Sequence, residues 1–377
     1  MNGEELTDAE VVNIALARFR PLQDGQREAS IDELMTAFGR SKNSITVAVR
    51  RAFRDRLVEI RKSDKPELRI GEQARHHRLE IALRQRFASL HGAIVVETRS
   101  TSSDRIHMEL GYALACELGS HIVDNAVIGL GSGRGPYYTV TGLGMLPRLS
   151  HRNVTLLSLT GAVYPRMHDE NVNALLDADF HAYLLGLSFS EVVTPKLIFN
   201  PIAHDDVAAV RSKTWLGDAA YRENTPTIAI VGVGVLQPGH RFFDAVARGV
   251  HGDVLDPILA QLKKLVALSS DVRKQDGLAE YCPVADICNR LFFLPPPAPH
   301  QLAKGVQQKI EALITAVNSR LLTASEEQMS SVERLVLVAG GTNKAPAIAS
   351  LLDSAQLHVR IVCTDAVTAR AMLGLSR

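Results

Sequence analysis

An α/β protein is predicted: a helix-turn-helix head, winged or wingless, ahead of a doubly wound, mostly parallel sheet. Three observations predict it. Capped amphipathic helices occupy the segment ahead of Lys62. From His91 onward, short runs rich in Val, Ile and Leu alternate with helical patterns, the order that builds parallel strands covered on both faces. Several of those runs stop at glycines, and the carboxyl ends of strands are where such sheets bind ligands.

The head comes first. Asp8 to Arg20 reads as an amphipathic helix with Val12, Ala15, Leu16 and Phe19 on one side. The polar connector PLQDGQREA spans 21–29. Ser30 is a good N-cap, and Glu33 completes a capping box. Ile31, Leu34, Met35 and Phe38 give the apolar stripe of the helix that follows, and Gly39 ends it. Ser41 caps a longer helix that buries Ile45, Val49, Ala52 and Phe53 and turns Lys42, Thr46, Arg50 and Arg54 elsewhere.

A capped helix, a glycine turn and a basic helix follow one another as in a helix-turn-helix. Gly39 to Lys62 holds eight Lys or Arg against Asp55 and Glu59, a net of +6 in a chain whose formal charge is +1. The positive charge is concentrated where the third helix would enter a major groove, so the predicted partner is operator DNA. Ser41, Lys42, Asn43, Ser44, Thr46, Arg50 and Arg51 are the candidates for contact with it. A two-fold symmetric reader of a palindrome is expected.

Leu57 to Ile70 reads as two short strands around a turn, a small wing or an exit strand. Glu72 to Leu90 reads as a charged helix with Leu79, Leu83, Phe87 and Leu90 on one face. It suits a linker, a dimer contact or packing on its own domain. The predicted division is 1–70 for the DNA-binding head, 71–90 for the linker helix and 91–377 for an effector domain. Ala93 to Glu97, Ala126 to Gly135, Val154 to Gly161, Pro226 to Gly239, Leu335 to Ala339 and His358 to Asp365 read as its strands, each running into a turn or helix.

Composition bounds the function. At 377 residues, 46% hydrophobic and 22% charged, the chain is an ordinary globular protein rather than a polycation. The acidic start MNGEELTDAE lacks an apolar core for export, and no apolar run approaches the roughly 18 residues of a membrane span. Cys116, Cys282, Cys288 and Cys363 form no CxxC pair and no zinc spacing, which predicts reduced thiols, a cytoplasmic protein and no metal. No H-E-x-x-H and no nucleophile elbow occur.

Chemistry is expected at three strand ends: GLGSGRG at 129–135, Asp286 in VADIC, and AGGTNK at 339–344. Glycine loops let backbone N–H groups approach an anion, and a helix N-terminus adds positive potential. Gly131, Ser132, Gly133 and Arg134 supply amides, a hydroxyl and a guanidinium whose fork matches two phosphate oxygens. Gly340 and Gly341 clear space for Lys344, and Asp286 can accept from ligand hydroxyls. Two cations, an amide nest and one carboxylate describe a pocket for a phosphorylated sugar or polyol. The spacing is neither the GxGxxG dinucleotide fingerprint nor a P-loop, and Pro136 interrupts the expected helix start. Loops of this kind also serve simply as tight turns.

These residues resemble a family. ASIDELMTAFGRSKNSITVAVRRAFRDRLVEIR resembles the helix-turn-helix of SorC-type transcriptional regulators, the sugar-binding-domain branch near DeoR. LEIALRQRFASLHGAIVVE is similar to their linker, IGLGSGRG to their Gly-Trp-Gly-Arg-Thr loop, PVADIC to their Gly-Asp-Ile segment, and the stretch ending VLVAGGTNKAPAI to their closing GGxxKxxAI region. The resemblance keeps its order over nearly the whole chain. It implies an effector domain akin to sugar-phosphate isomerases that binds a ligand without turning it over, with no catalytic residue and no cofactor. It also implies a homodimer or homotetramer on operator DNA, and effector-site roles for Arg134, Asp286 and Lys344. Ser132, Gly135 and Ala285 stand where the family has tryptophan, threonine and glycine, which bears on the ligand's identity. The competing reading is a sugar-phosphate isomerase or deaminase-like enzyme fused to a DNA-binding head, with Asp286 as its only evident base.

Overall fold

The computed structural model of the chain describes residues 6–19, 29–54, 75–98, 102–146, 153–161, 177–189, 193–198, 202–236, 252–275, 278, 281–296, 299–354 and 357–375. The predicted wing at 57–70 and most of the connector at 21–29 lie outside them.

The head is three helices: α1 (Asp8–Phe19), α2 (Ile31–Phe38) and α3 (Lys42–Arg54). Its punctuation is as expected. The Ser30 hydroxyl accepts from Glu33 N at 3.1 Å while the Glu33 carboxylate accepts from Ser30 N at 2.7 Å, a reciprocal capping box. Gly39 takes φ 60°, and Ser41 Oγ accepts from Ser44 N at 3.2 Å. Val11, Ile14, Leu34, Ile45, Ala48 and Val49 are buried together.

Thr46 departs from expectation. It is 3% exposed rather than on the outer basic stripe. Thr46 precedes Val49 by three residues, and residues three apart share a helix face, so the buried arc is wider than the stripe assumed. The outward face of α3 carries Asn43 and Val47, flanked by half-exposed Lys42, Ser44 and Arg50.

The predicted linker helix is shorter, α4 at His77–Arg86, and packs on the domain behind it. Leu79, Leu83, Phe87 and Leu90 are buried in that domain's core. Buried Glu80 accepts from Arg75 Nε at 2.8 Å and from Val95 N at 3.1 Å. Burial favours its protonated form, yet Arg75 and the Val95 amide hold its pKa below the usual range.

The remaining elements alternate: β1 (Gly92–Val96), α5 (Ser103–Gly119), β2 (Val127–Leu130), α6 (Arg134–Met145), β3 (Thr155–Ser158), α7 (Ala178–Gly186) and β4 (Thr194–Lys196). Next come α8 (Val207–Ser212), α9 (Asp218–Glu223), β5 (Ile228–Val231), β6 (Gly234–Val235), α10 (Gly252–Arg273), β7 (Val284–Ile287) and β8 (Arg290–Phe293). The chain closes with α11 (Lys304–Asn318), α12 (Glu326–Ser330), β9 (Arg334–Val338), a 3₁₀ turn at Thr342–Lys344, α13 (Ala345–Ser354), β10 (Val359–Asp365) and α14 (Ala366–Met372).

Seven strands form a parallel sheet in the order β1-β10-β9-β5-β2-β3-β4. Their sequences are near-continuous apolar runs, as strands buried on both faces require. From β2 the chain proceeds outward to β3, whereas from β5 the sheet continues the other way to β9. The pair β2/β5 is therefore a switch point, with a crevice beyond its carboxyl ends.

Three expectations need correcting. The segment 226–239 is not one long strand: β5 stays in the parallel sheet, and β6 leaves it to pair antiparallel with β7. Asp286 is consequently not at a parallel strand end. It lies within β7, opposite Gly234, in a three-stranded antiparallel sheet β6-β7-β8. The β7–β8 hairpin turns at Cys288 and Asn289, both at positive φ (53° and 62°), as a two-residue hairpin turn needs. Pro136 does not interrupt α6 either: it sits in the first turn, where the amide it lacks would have no helical partner.

Candidate effector site

The glycine loop after β2 leads straight into α6, at the switch point. Gly131 N is spent on Ile230 O at 2.9 Å, which ties the loop to β5. Gly133 is the N-cap of α6 at φ 115°, a backbone setting a side chain would strain. Arg134 and Gly135 follow in the first helical turn, with amides that have no intrahelical partner. The loop thus presents backbone amides at a helix start, with Ser132 half-buried beside it.

The second glycine pair works differently. A Cβ on Gly340 would come within 2.7 Å of Asp365 Oδ2 and 2.8 Å of Ile106 Cγ2, so glycine is there to admit Asp365. Gly341 N donates to that carboxylate at 2.8 Å and to Thr368 Oγ1 at 2.9 Å. Its amide is committed inside the protein, and the amide nest reduces to the first loop. Gly340 and Gly341 serve to place the 3₁₀ turn that ends in Lys344.

Lys344 and Arg134 converge, and the first turn of α5 holds both. Lys344 Nζ donates to His107 Nε2 at 3.2 Å, and His107 Nδ1 donates to Ser103 O at 2.6 Å. Arg134 donates to Ser103 Oγ at 3.2 Å and pairs through Nε with Asp104 Oδ1 at 3.1 Å. His107 is 4% exposed, and burial, with the positive charges of Lys344 and Arg134, pushes its pKa down to about 3. It is therefore a neutral imidazole with a fixed tautomer, offering a lone pair to the ammonium.

Lys344 is half-buried as a residue. Burial around its ammonium, aided by the Arg134 charge and opposed by Asp286 and Asp365, brings its pKa down to about 8. Arg134 stands at the exposed rim and Lys344 at the base, with the Asp286 carboxylate near enough to act on it.

Sequence reasoning missed Ser103, Asp104, His107 and Asp365. His107 sits in an unremarkable amphipathic stretch, and only the α5–β9 packing brings it to Lys344. It also missed buried His181 of α7, whose Nδ1 donates to Gly131 O at 2.8 Å, across fifty residues of chain.

Of the head residues proposed to meet DNA, Ser41 is a cap, and Lys42, Asn43 and Ser44 stand at the open start of α3. Arg51 donates to Leu6 O at 2.6 Å and pairs with Asp8 inside the head. Arg50 pairs with Asp177 Oδ2 at 3.4 Å and lies over the Phe180 ring, 5.9 Å from its centroid. Thr46 is withdrawn from the surface, as described above.

Fold and crevice together describe an α/β domain with a mostly parallel sheet behind a helix-turn-helix head. Residues 72–245 match the family model described as "Putative sugar-binding domain". Full-length sorbitol operon regulator SorC from Klebsiella pneumoniae is similar over 97% of this chain and 99% of its own, at 16% identity and TM-score 0.55. A DeoR family transcriptional regulator from Listeria monocytogenes covers 78% of this chain and 98% of its own, at 19% identity and TM-score 0.54. A transcriptional regulator from Streptococcus pneumoniae covers 79% and 96%, at 18% identity and TM-score 0.55. At these identities the likeness is one of fold. Among the curated proteins nothing matches this chain.

A pH dependence follows from Lys344. Its ammonium attracts an anion only while protonated. Affinity for a sugar phosphate is therefore expected to hold up to neutral pH and fall as pH rises through about 8, by at most about tenfold per pH unit. Because the folded pKa lies below the ordinary lysine value, the unfolded chain binds more protons between the two values. Ligand-free stability thus gains from Lys344 as pH rises across that window. Titration calorimetry from pH 6 to 9.5, as approximate limits around these lysine values, checks the first point. Lys344→Ala should remove the alkaline limb.

Proposed function

We propose that this chain is a DNA-binding transcriptional regulator whose operator affinity is set by a small anionic carbohydrate, a phosphorylated sugar or polyol. One observation carries the reading: two cations, Arg134 and Lys344, meet a helix N-terminus at a strand switch point, in a chain that begins with a helix-turn-helix. Arg134 would take phosphate oxygens at the rim, Lys344 a second anionic oxygen at the base, and Asp286 a ligand hydroxyl. His107 commits its one N–H to Ser103 O and, with its pKa pushed down to about 3, is too weak a base for turnover near neutral pH, which favours binding over catalysis.

In this reading residues 1–70 are the head, 71–90 connect it and 91–377 hold the effector. Base edges are met by Lys42, Asn43, Ser44 and Arg50, joined by Val47, whose 47% exposure on the outer face suits a thymine methyl group. Arg50→Ala should weaken operator binding about tenfold and lower the salt slope by about one, read by titration of a DNA site selected from a random pool.

The same arrangement supplies a route between the two sites. Gly131 of the loop is gripped by His181, and the helix carrying His181 presents Asp177 and Phe180 to Arg50. A ligand that binds one setting of this helix better than another alters the hold on Arg50. The overall reading is tested by a thermal-shift screen of the full chain against sugar phosphates, free sugars and polyols, in which a ligand of the folded state must raise Tm. Absence of any shift from sugar phosphates, or their turnover, would overturn it.

A further inference from the structure

A second cavity, of about 590 Å³, opens between α8, β8, α11 and α12. It shares no lining residue with the crevice at Lys344, and its size is that of small-molecule sites. Its chemistry is unusual for a structural void. Arg211 and Arg290 both face it, and among the described residues only Arg211 finds side-chain hydrogen-bond partners. Arg211 donates to Leu216 O at 3.1 Å, to Thr323 O at 2.8 Å and to Gln328 Oε1, and so knits α8 to α12. Arg290, the first residue of β8, is paired with Ile287 through its backbone, but its guanidinium makes no hydrogen bond or ion pair with any of the described residues.

Burial and repulsion from Arg211 both disfavour the Arg290 charge, and Glu326 offsets this only in part. Keeping a half-buried guanidinium without a hydrogen-bonding partner is costly, and well-packed apolar residues would serve stability as well. A planar fork with no acceptor among the described residues matches a two-oxygen anion from outside.

The other lining groups narrow the ligand. Glu311 and Glu326 stand on the same cavity, where they repel further negative charge and accept hydrogen bonds from hydroxyl groups. Ile314, Leu321 and Phe293 supply apolar wall. We propose that this cavity is a second ligand site, with Arg290 as its anchor, for a hydroxylated organic anion whose single carboxylate or phosphate group meets the guanidinium.

The test uses the full chain carrying Lys344→Ala together with Arg134→Ala, which removes both cations of the first crevice, with three probes on one carbon frame: gluconate, glucose 6-phosphate and glucose. Gluconate, glucose 6-phosphate or both should raise Tm, and the probe that acts tells a carboxylate from a phosphate source; glucose should not. Adding Arg290→Met should abolish the rise while leaving the ligand-free Tm equal or higher, because the substitution removes an uncompensated charge. Arg290→Lys, which keeps the charge but loses the fork, should retain only part of the rise and covers the case in which the Met variant fails to fold. A rise that survives Arg290→Met, a ligand-free Tm lowered by both substitutions, or no response to either anion would overturn the proposal. None of these results depends on whether the Lys344 crevice binds the regulatory effector.

Discussion

Lys344→Ala is expected to lower the affinity for a phosphorylated effector by about ten- to a hundredfold while leaving effector-free DNA binding unchanged. A hydrogen bond to a charged group is worth about 1.5–3 kcal/mol, and each 1.4 kcal/mol is a factor of about ten in affinity. Lys344 stands at the base of the crevice with His107 behind it as acceptor, so no other side chain there can take over its charge. Arg134 is a weaker target. It is half-exposed and already shares its guanidinium with Asp104 and Ser103, so solvent screens part of its attraction. The loss on Lys344→Ala should accordingly exceed that on Arg134→Ala. Titration calorimetry on both variants, beside operator titration without effector, gives the comparison. Unchanged effector affinity in Lys344→Ala would reduce the Gly340–Gly341 segment to a turn.

Much of the fold was legible because local signals and tertiary context agree. Ser30, Glu33, Gly39 and Ser41 fix the ends of α2 and the start of α3 by short-range hydrogen bonds and backbone preference, which a sequence displays directly. The parallel strands declare themselves as uninterrupted apolar runs. What failed depended on partners distant in the chain. Nothing local distinguishes β6 as leaving the main sheet; its place is set by pairing with β7, some fifty residues on. Thr46 is polar and sits among cations in sequence, yet it is buried in α3, the helix that packs on α1. In the site the charged anchors were readable as glycine-flanked Arg134 and Lys344. Their supports were not, because Ser103, Asp104 and His107 act through positions that only the packing of α5 against the sheet creates.

The other large effect is expected at Asp365, a residue without any ligand-facing role. Asp365 is 2% exposed and ends β10, where it accepts from Gly341 N at 2.8 Å, Thr368 N at 2.8 Å and Thr368 Oγ1 at 2.6 Å. One carboxylate thus caps α14 and pins the backbone that carries Lys344. Asp365→Ala removes a helix cap, leaves Thr368 N and Thr368 Oγ1 without their acceptor in a buried setting and leaves Gly341 N with Thr368 Oγ1 alone, mechanisms worth about 1 and about 1–3 kcal/mol respectively and not simply additive. A total near 3 kcal/mol should lower Tm by roughly 5–10 °C in a domain of this size. Asp365→Asn separates the two consequences. Its amide oxygen still accepts from one donor, so much of the stability returns, but its NH₂ cannot accept from Gly341 N or Thr368. Freed Gly341 should then loosen the turn before Lys344, so that the Asn variant regains Tm without regaining effector affinity. Should both recover together, the Gly341 contact is part of the scaffold alone and does not set the position of Lys344.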